Sequence, residues 1–397
     1  MLPRRPTRQV RIGPVAVGGG APVSIQSMTS TPTHEVDATV AQIHALARAG
    51  ADVVRVAVPE PRDTEALRSI LPQVPVPIVA DVHFHYQRAL EAIAAGVHKI
   101  RLNPGNIQDR GQVDRVIRAC RERGIPIRVG VNEGSVVERR DKARRAEEQA
   151  RLGEDYEKHL VGLMVEKLEE YLRIFDENDF GDVVLSAKSV DPRIVIAAYT
   201  AISERFDFPL HLGVTHAGPR ETGCIRSVAA LGTLLANGIG DTVRISYASD
   251  PVLEVQDARE LLNCLGLRPR VEPELIACPT CGRIEVDLLT LVQRVREKLA
   301  GIKSPIKVAV MGCVVNGPGE AEGADVAVFA GKGRGIIYVR GEQKRTVTEA
   351  EMLDALYEEC VALAGRVESG PAGLGRGGVA IAAPIPGVEA GSPPLSS

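Results

Sequence analysis

The sequence contains no tryptophan, only 3% aromatic residues and no long run of apolar residues. Without such a run, no segment is predicted to span a membrane as a helix. It also lacks a long basic stretch interleaved with aromatic residues, which argues against nucleic acid as a partner. The basic first residues are not followed by an apolar segment, so they do not resemble a secretory signal.

The composition is that of an ordinary globular protein. Of 397 residues, 44% are hydrophobic and 25% are charged, and the formal net charge is -3. This length allows one large and one small domain. Seven cysteines, an odd number without a signal segment, predict a reducing, cytoplasmic location. Cys120, Cys264 and Cys360 lie in segments with a helical pattern, and we interpret them as plain core thiols.

Three other cysteines form the most informative pattern in the chain. Cys278 and Cys281 are separated by two residues, and Cys313 follows in the glycine-rich segment Met311-Gly-Cys-Val-Val-Asn-Gly-Pro-Gly-Glu320. Zinc usually takes four strong ligands, and neither a second cysteine pair nor a histidine pair is visible. Three sulfurs with a weaker carboxylate ligand, for which Glu320 is the candidate, suit an iron-sulfur cluster. A zinc knuckle and a redox dithiol beside an unrelated cysteine are the alternatives.

From residue 23 onward, short apolar runs alternate with longer amphipathic segments. Helical segments at 36–49 and 87–95 end at Gly50 and Gly96, and β-branched runs follow soon after, as is typical of βα units. Eight units over about 240 residues predict a (β/α)8 TIM barrel. The eight predicted strands lie at residues 23–26, 53–56, 78–81, 99–101, 127–129, 183–186, 210–212 and 242–246.

A change in composition near Pro273 marks a second domain. Its pattern predicts a compact α+β module with a helix at 286–299, strands at 306–310, 325–329 and 335–339, and a closing helix at 348–363. The predicted domains are therefore residues 1–267 for the barrel and 268–366 for the module. The remaining residues, 367–397, are rich in Gly, Pro, Ala and Ser and are predicted to be a disordered tail.

Polar residues at the ends of the predicted barrel strands point to a phosphate ligand. Barrel enzymes carry their chemistry at these ends, and several cations converging on one mouth require an anion between them. Guanidinium groups match phosphate oxygens in pairs, so a diphosphate is the expected occupant. The candidate residues at the mouth are Arg55, Asp81, His83, Arg101, Asn103, Arg128, Asn132, Lys188, His211, Arg244 and Ser246.

Several motifs together resemble the bacterial 4-hydroxy-3-methylbut-2-enyl diphosphate synthase family, over residues 6–366. They are Ser24-Ile-Gln-Ser-Met-Thr29, Val54-Arg55-Val56, Asp81-Val-His83-Phe, Ile100-Arg101-Leu-Asn103-Pro-Gly105, Arg128-Val-Gly-Val-Asn132, Leu185-Ser-Ala-Lys188, His211-Leu-Gly-Val-Thr215, Cys278-Pro-Thr-Cys-Gly-Arg283, and the segment ending at Glu320.

The resemblance implies a TIM barrel joined to a ferredoxin-like module. It also implies a [4Fe-4S] cluster held by Cys278, Cys281, Cys313 and Glu320. The implied reaction is the two-electron reductive opening and dehydration of 2-C-methyl-D-erythritol 2,4-cyclodiphosphate in isoprenoid biosynthesis. Glu320 would be a labile ligand that gives way to substrate. The implied diphosphate ligands are Arg55, Arg101, Arg128, Lys188 and Ser246, and the residues that shape or protonate the site are Asp81, His83, Asn103 and Asn132.

One position departs from the family pattern. The family usually has Thr-Glu-Ala-Gly after the seventh strand, and its glutamate is associated with proton transfer, whereas this chain has Thr215-His216-Ala-Gly218. Histidine can donate a proton near neutral pH, so we predict that His216 takes the catalytic role.

Electrons must come from a partner, because no flavin or nicotinamide motif is visible. The resemblance implies ferredoxin or flavodoxin as the electron donor and a homodimer. A run of cations, Lys332, Arg334, Arg340, Lys344 and Arg345, is the candidate docking face for such an acidic protein. Two other functions are compatible with the residues alone. They are a phosphate-ligand barrel lyase with a structural zinc knuckle, and a non-catalytic iron-sulfur redox sensor.

Overall fold

The computed structural model describes residues 1–82, 85–102, 107, 109–136, 155–313, 321 and 323–368. The chain divides into two compact units, Met1–Pro269 and a second that begins at Arg270. From residue 369 onward, the predicted tail lies outside the described residues. None of the described helices combines the length and the apolar character needed to cross a membrane.

The strands and helices of the first unit alternate along most of its length. The strands are β1 Gln9–Ile12, β2 Val15–Gly18, β3 Ser24–Met28, β4 Val53–Ala57, β5 Ile78–Asp81, β6 Lys99–Leu102, β7 Ile127–Asn132, β8 Val183–Lys188, β9 His211–Leu212 and β10 Thr242–Val243. The helices are α1 Val36–Ala49, α2 Pro61–Ile70, α3 Tyr86–Ala95, α4 Arg110–Arg123, α5 Glu133–Val136, α6 Tyr156–Glu177, α7 Pro192–Arg205, α8 Arg220–Ala236 and α9 Pro251–Cys264.

Strands β3 to β10 form the predicted barrel. They pair in parallel in the order β8-β7-β6-β5-β4-β3-β10-β9. The ring closes between β8 and the residue before β9, through a parallel bridge from Leu185 to Leu210 and a 2.9 Å hydrogen bond from the Leu185 amide to the Pro209 carbonyl. All eight predicted strands are present, so the (β/α)8 prediction is confirmed.

Helix ends follow the glycine signals in the sequence. Helix α1 ends at Gly50 and α3 ends at Gly96, and both glycines have a left-handed backbone, with φ of 112° and 97°. A side chain at such a φ is strained, so glycine ends each helix at little cost. The chain can then turn directly into the next strand.

Side-chain alternation separates two environments in the barrel strands. Outward residues such as Val54, Ile100 and Val129 are fully buried in the apolar layer between strands and helices. Among the inward residues, Val53 and Val79 pack against the hairpin formed by β1 and β2. Many of the other inward residues are polar or charged, which is unusual for a region that contacts so little water.

The second unit is built on a mixed sheet. Its strands are β11 Glu274–Ala277, β12 Lys307–Met311, β13 Val326–Gly331, β14 Arg334–Val339 and β15 Glu342–Thr348, and its helices are α10 Leu288–Leu299 and α11 Met352–Glu368. The strands lie side by side in chain order, β11 to β13 parallel and β13 to β15 antiparallel. The α+β composition implied by the resemblance is present. The strand order differs from the split arrangement of a ferredoxin-like sheet.

Candidate active site

One carboxylate near the barrel mouth is shared by two arginines. Asp81 is the last residue of β5 and is 4% exposed. Its Oδ1 accepts a hydrogen bond from Arg101 Nη1 at 3.3 Å, and its Oδ2 lies 3.6 Å from Arg55 Nε. Parallel strands bring these three predicted residues together, since Asp81 is in register with Arg101 on β6 and with Ala57 on β4. Asp81 therefore fixes the positions of two guanidinium groups.

A methionine sulfur provides a second fixed point for the arginines. Met28 Sδ lies 3.1 Å from Arg55 Nε and 3.0 Å from Arg55 Nη2, and 3.6 Å from Arg244 Nη1. A thioether is a weak acceptor, and it adds no negative charge to the site. Met28 thus orients two cations without neutralising either of them.

Arg244 is also supported by an acidic residue of helix α9. Glu254 Oε2 lies 3.9 Å from Arg244 Nη2, and Glu254 Oε1 accepts a 3.0 Å hydrogen bond from the Tyr247 amide. Burial raises the pKa of Glu254, and the charge of Arg244 opposes this shift. Glu254 therefore contacts both Arg244, directly after the eighth barrel strand, and Tyr247, in the loop that follows.

Arg128 and Lys188 complete the cationic group. Arg128 is 3% exposed and Lys188 is 9% exposed. Burial lowers the pKa of both side chains well below their usual values, and neighbouring positive charges lower it further. Burial likewise lowers the pKa of Arg55 to about 10. A guanidinium does not lose its proton in proteins, so for the arginines these forces instead raise the free energy of the ligand-free site.

Positive charge exceeds negative charge among the described side chains of the barrel interior. The cations are Arg55, Lys99, Arg101, Arg128, Lys188 and Arg244, and the carboxylates are Asp81 and Glu254. This is a formal surplus of four positive charges. In a region of low dielectric, such a surplus is costly unless an anion offsets it or the lysines lose their protons. The prediction of a multiply charged anionic ligand is consistent with this arrangement.

The remaining predicted residues occupy varied positions. Asn132 is half-buried at the end of β7, in register with Lys188, so it also faces the interior. Ser246 Oγ donates to the Val214 carbonyl at 3.2 Å. His216 is exposed in the loop after β9, with a left-handed φ of 53°. His83, Asn103 and Glu320 lie outside the described residues.

His211 is not at the mouth, where its motif suggested it would be. It is 0% exposed and in register with Thr242, which is in turn in register with Ser24 near the start of β3. Strand β9 begins only at His211, so this residue lies deep in the barrel rather than at the end of a strand.

Three residues of the site were missed by sequence reasoning: Met28, Lys99 and Glu254. The alternation in Lys99-Ile-Arg101 places Lys99 on the same side of β6 as Arg101, and this signal could have identified it. Met28 lies in a quoted motif, but its residue type suggested packing. Glu254 lies on a helix, where nothing in the local pattern distinguishes it from a solvated carboxylate.

Two of the predicted cluster cysteines follow neighbouring strands of the second unit. Cys278 directly follows β11, and Cys313 lies two residues after β12, its parallel neighbour. The Gly312 amide donates to Cys278 Sγ at 3.3 Å, and the Cys278 amide donates to the Val310 carbonyl at 3.3 Å. These bonds connect the two cysteine segments. Cys281 is exposed, while Cys278 and Cys313 are half-buried. Of the three predicted core thiols, Cys120 and Cys360 are buried, but Cys264 is exposed at the end of α9, so the prediction is wrong for Cys264.

These thiols suit a cluster in their chemistry, and Cys278 and Cys313 lie at the ends of neighbouring strands. A backbone amide donates to the Cys278 sulfur, as is common around cluster thiolates. Among the described residues, no group of three or more His, Cys, Asp or Glu is arranged to hold a metal ion. The predicted fourth ligand, Glu320, lies outside that part of the chain.

Comparison with known proteins decides the family. The GcpE TIM-barrel domain matches residues 7–259, and the GcpE protein C-terminal domain matches residues 274–362. This chain belongs to the GcpE family. The family predicted from the motifs is thereby confirmed.

Curated relatives align with the GcpE chain over most of their length. They carry the name 4-hydroxy-3-methylbut-2-en-1-yl diphosphate synthase (flavodoxin). The Geobacillus kaustophilus protein is 46% identical over 364 residues, which is 92% of this chain and 94% of that protein. The Symbiobacterium thermophilum protein is 46% identical over 379 residues, 95% and 99% of the two chains. A Yersinia pestis dihydropteroate synthase aligns with 65% of this chain and 97% of that one, at 13% identity and a TM-score of 0.42, a likeness too low to bear on function.

Proposed function

We propose that this GcpE protein reduces 2-C-methyl-D-erythritol 2,4-cyclodiphosphate to (E)-4-hydroxy-3-methylbut-2-enyl diphosphate and water, using two electrons and two protons. Family membership establishes that the chain is an oxidoreductase and a diphosphate synthase of the non-mevalonate isoprenoid pathway. The observation that carries the choice of substrate is the cation surplus inside the barrel.

The barrel cations have two tasks in this reaction. Arg55, Arg101, Arg128 and Lys188 bind the diphosphate and orient its carbon skeleton, with Ser246 and Asn132 as polar contacts. When the ring opens, a bridging phosphate becomes a terminal one and gains an ionisable oxygen. Cations that are already in place stabilise this developing charge more strongly than they stabilise the cyclic substrate, which favours bond cleavage.

Protons and electrons enter from other residues. In our proposal Cys278, Cys281, Cys313 and Glu320 hold a [4Fe-4S] cluster. When bound, such a cluster supplies single electrons and an iron that can accept a hydroxyl oxygen. Asp81 holds Arg55 and Arg101 in position, His83 and Asn103 shape the pocket, and His216 supplies a proton to the departing hydroxyl group.

Substitution of Arg128 tests the diphosphate site. Arg128→Met replaces a buried cation with an uncharged, unbranched side chain. We expect kcat/KM to fall about 30-fold or more, which corresponds to a loss of roughly 2 kcal/mol of transition-state binding. Arg48→Met, at an exposed position on α1, is the matched control. Equal kinetics for the two variants would rule out a role for Arg128 in binding the diphosphate.

Metal analysis of anaerobically purified protein tests the cluster. We expect iron and sulfide in equal amounts in the wild type and in Cys264→Ser, which alters an exposed thiol outside the predicted ligand set. Cys313→Ser should lose both elements. Stoichiometric zinc without sulfide would instead support a structural zinc knuckle.

The electron donor we propose is flavodoxin, which the names of the relatives include. Ferredoxin is a second acidic donor. We further propose a homodimer and a cytoplasmic location. Sedimentation of the cluster-containing protein at several concentrations would measure the oligomeric state directly.

A further inference from the structure

A layer of polar side chains lies inside the barrel, next to the inward residues Val53 and Val79. We call Ser24, Gln26, Lys99 and His211 the inner layer. They alternate along their strands with outward residues of the apolar core such as Ile25, Ile100 and Leu212, so all four face the interior. Their exposed fractions are 4%, 2%, 0% and 0%.

Lys99 has a polar partner but no charged one. Its Nζ donates to Gln26 Oε1 at 2.9 Å. Strands β3 and β6 are the first and fourth of the eight barrel strands, so this bond crosses the interior. Among the described residues no carboxylate lies within 4 Å of Lys99. A buried ammonium without a counter-charge is costly, and a neutral amide offsets only part of that cost.

Three other side chains of the inner layer can each donate a hydrogen bond that no acceptor receives. Within the described part of the chain, Ser24 Oγ, Gln26 Nε2 and both ring nitrogens of His211 are buried and have no hydrogen-bond partner. Gln26 Oε1, the strongest acceptor of the group, is already used by Lys99. Ser24, Gln26 and one ring nitrogen of a neutral His211 can therefore each donate to a bound anion, together with Lys99.

Neighbouring charge favours an anion as well. Burial lowers the pKa of Lys99 well below its usual value, and the positive charges of Arg128 and Arg55 lower it further. Burial lowers the pKa of His211 in the same way, followed by the charges of Arg128, Lys188 and Lys99. The inner layer therefore lies in a field of positive charge.

We propose that the inner layer binds one small monovalent inorganic anion, of the halide class, beneath the substrate site. Val53 and Val79 are in register with Gln26 and Lys99, and they pack against the hairpin formed by β1 and β2. The four side chains of the layer are at most 4% exposed, and none of them belongs to the diphosphate ligands proposed above. The anion would offset part of the cation surplus and hold Lys99 and His211 in place under Arg128. Because it is tested without substrate, its failure would leave the proposed reaction unaffected.

Bromide is the probe for this site. Crystals of the cluster-containing protein grown in sodium bromide should show a bromine anomalous peak within hydrogen-bond distance of Lys99 Nζ. In solution, the unfolding midpoint should rise with the logarithm of bromide or chloride concentration and stay level in sodium gluconate of equal ionic strength. Ordered water alone in the inner layer, with no difference between the salts, would overturn the proposal.

Gln26→Glu is a sharper test, because it places a carboxylate at the atom that already accepts from Lys99. We expect this variant to lose the halide dependence and to unfold in gluconate at or above the midpoint of the wild type. Lys303→Met, which removes an exposed lysine, should keep the full halide dependence. If Gln26→Glu keeps the same halide dependence as the wild type, the anion binds elsewhere. If it does not fold, the bromide crystal decides the question.

Discussion

At the scale of single residues, Met28 is the least expected part of the site. Its sulfur contacts Arg55 at 3.0 and 3.1 Å and Arg244 at 3.6 Å, where a carboxylate would be the usual partner. A carboxylate would neutralise charge that the diphosphate needs. The thioether instead orients the guanidinium groups without adding a further negative charge to those of Asp81 and Glu254.

Met28→Leu keeps the size and apolar character of this side chain and removes the acceptor. We expect KM for the cyclodiphosphate to rise about fivefold with little change in kcat, because about 1 kcal/mol of orientation is lost from bound substrate and transition state alike. Met164→Leu, in the fully buried core of α6, controls for the loss of a methionine as such. Equal KM values for the two variants would show that Met28 is only a packing residue.

His216 carries the second prediction at this scale. Its left-handed φ of 53° is tolerated by Asn and His better than by most residues, so Asn is the appropriate neutral replacement. If His216 supplies the proton, His216→Asn should lower kcat about 100-fold and remove one limb of the pH profile of kcat.

His216→Glu restores the residue type usual in the family and provides the matching rescue. We expect activity to return with its pH dependence moved to lower pH, because a carboxyl group titrates at lower pH than an imidazole. Unchanged kcat and an unchanged pH profile in His216→Asn would exclude a proton role. The exposed position of the side chain would then be sufficient to explain why histidine is tolerated where the family usually has glutamate.

At the scale of elements, periodicity and glycine signals predicted most of the fold. All eight barrel strands and the helices ending at Gly50 and Gly96 are present, because one buried face per element leaves a clear pattern in the sequence. Strands β11 and β15 were missed. In β11 no residue is fully buried, and β15 alternates only between exposed and half-buried residues, so neither has a strong apolar face.

The site was predictable where it follows strand ends and not where it depends on long-range packing. Arg55, Asp81, Arg101 and Lys188 were found because parallel strands bring their ends together. The depth of His211 and the contact of Glu254 with Arg244 depend on strand stagger and helix placement. A local sequence pattern contains neither.

The predicted basic docking face is a further case of this kind, since its residues divide between two ends of β14. Lys332 and Arg334 lie at the end of the sheet that carries Cys278 and Cys313, because β11, β12 and β13 are parallel and Lys332 directly follows β13. Arg340 lies at the other end, about 20 Å away for a six-residue strand. Lys344 and Arg345 lie on β15, where they are paired with Glu342 at 3.0 Å and with Glu358 at 2.6 Å. Of the predicted face, Lys332 and Arg334 are therefore the residues placed to meet a donor near the cysteines.

The two hairpin turns offer a matched pair of charge reversals. Lys332 and Arg340 are both exposed, have φ of 48° and 50°, and precede a glycine in a two-residue turn. We expect Lys332→Glu to slow reduction by flavodoxin about tenfold at low salt, while Arg340→Glu has little effect. Both variants should react normally with dithionite. Equal slowing by the two reversals would mean that net charge, and not a local docking face, controls the rate.

At the scale of the whole molecule, the barrel combines an apolar shell with an interior that carries excess positive charge. The outward side chains supply the burial that holds the strands and helices together, while the inward cations raise the free energy of the ligand-free state. Folding stability and ligand binding are therefore coupled. An anion that offsets the interior charge must stabilise the fold, in proportion to its affinity for the folded state.

Lys188 makes this coupling measurable through pH. Burial, followed by the charges of Arg128, Arg244, Arg55 and Arg101, lowers its pKa well below the usual value. Between the folded and unfolded pKa values the unfolded chain binds more protons, so stability should rise with pH across that window, up to about pH 10. In Lys188→Met the rise in stability between about pH 7 and pH 9 should be shallower, whereas Lys303→Met should match the wild type.

Inorganic pyrophosphate should flatten the pH dependence of stability in the wild type, because the amine of Lys188 takes up a proton when the anion binds and becomes charged again. Chemical unfolding followed by circular dichroism measures both effects, and identical slopes in the wild type and Lys188→Met would show that this lysine does not couple ligand charge to the stability of the barrel.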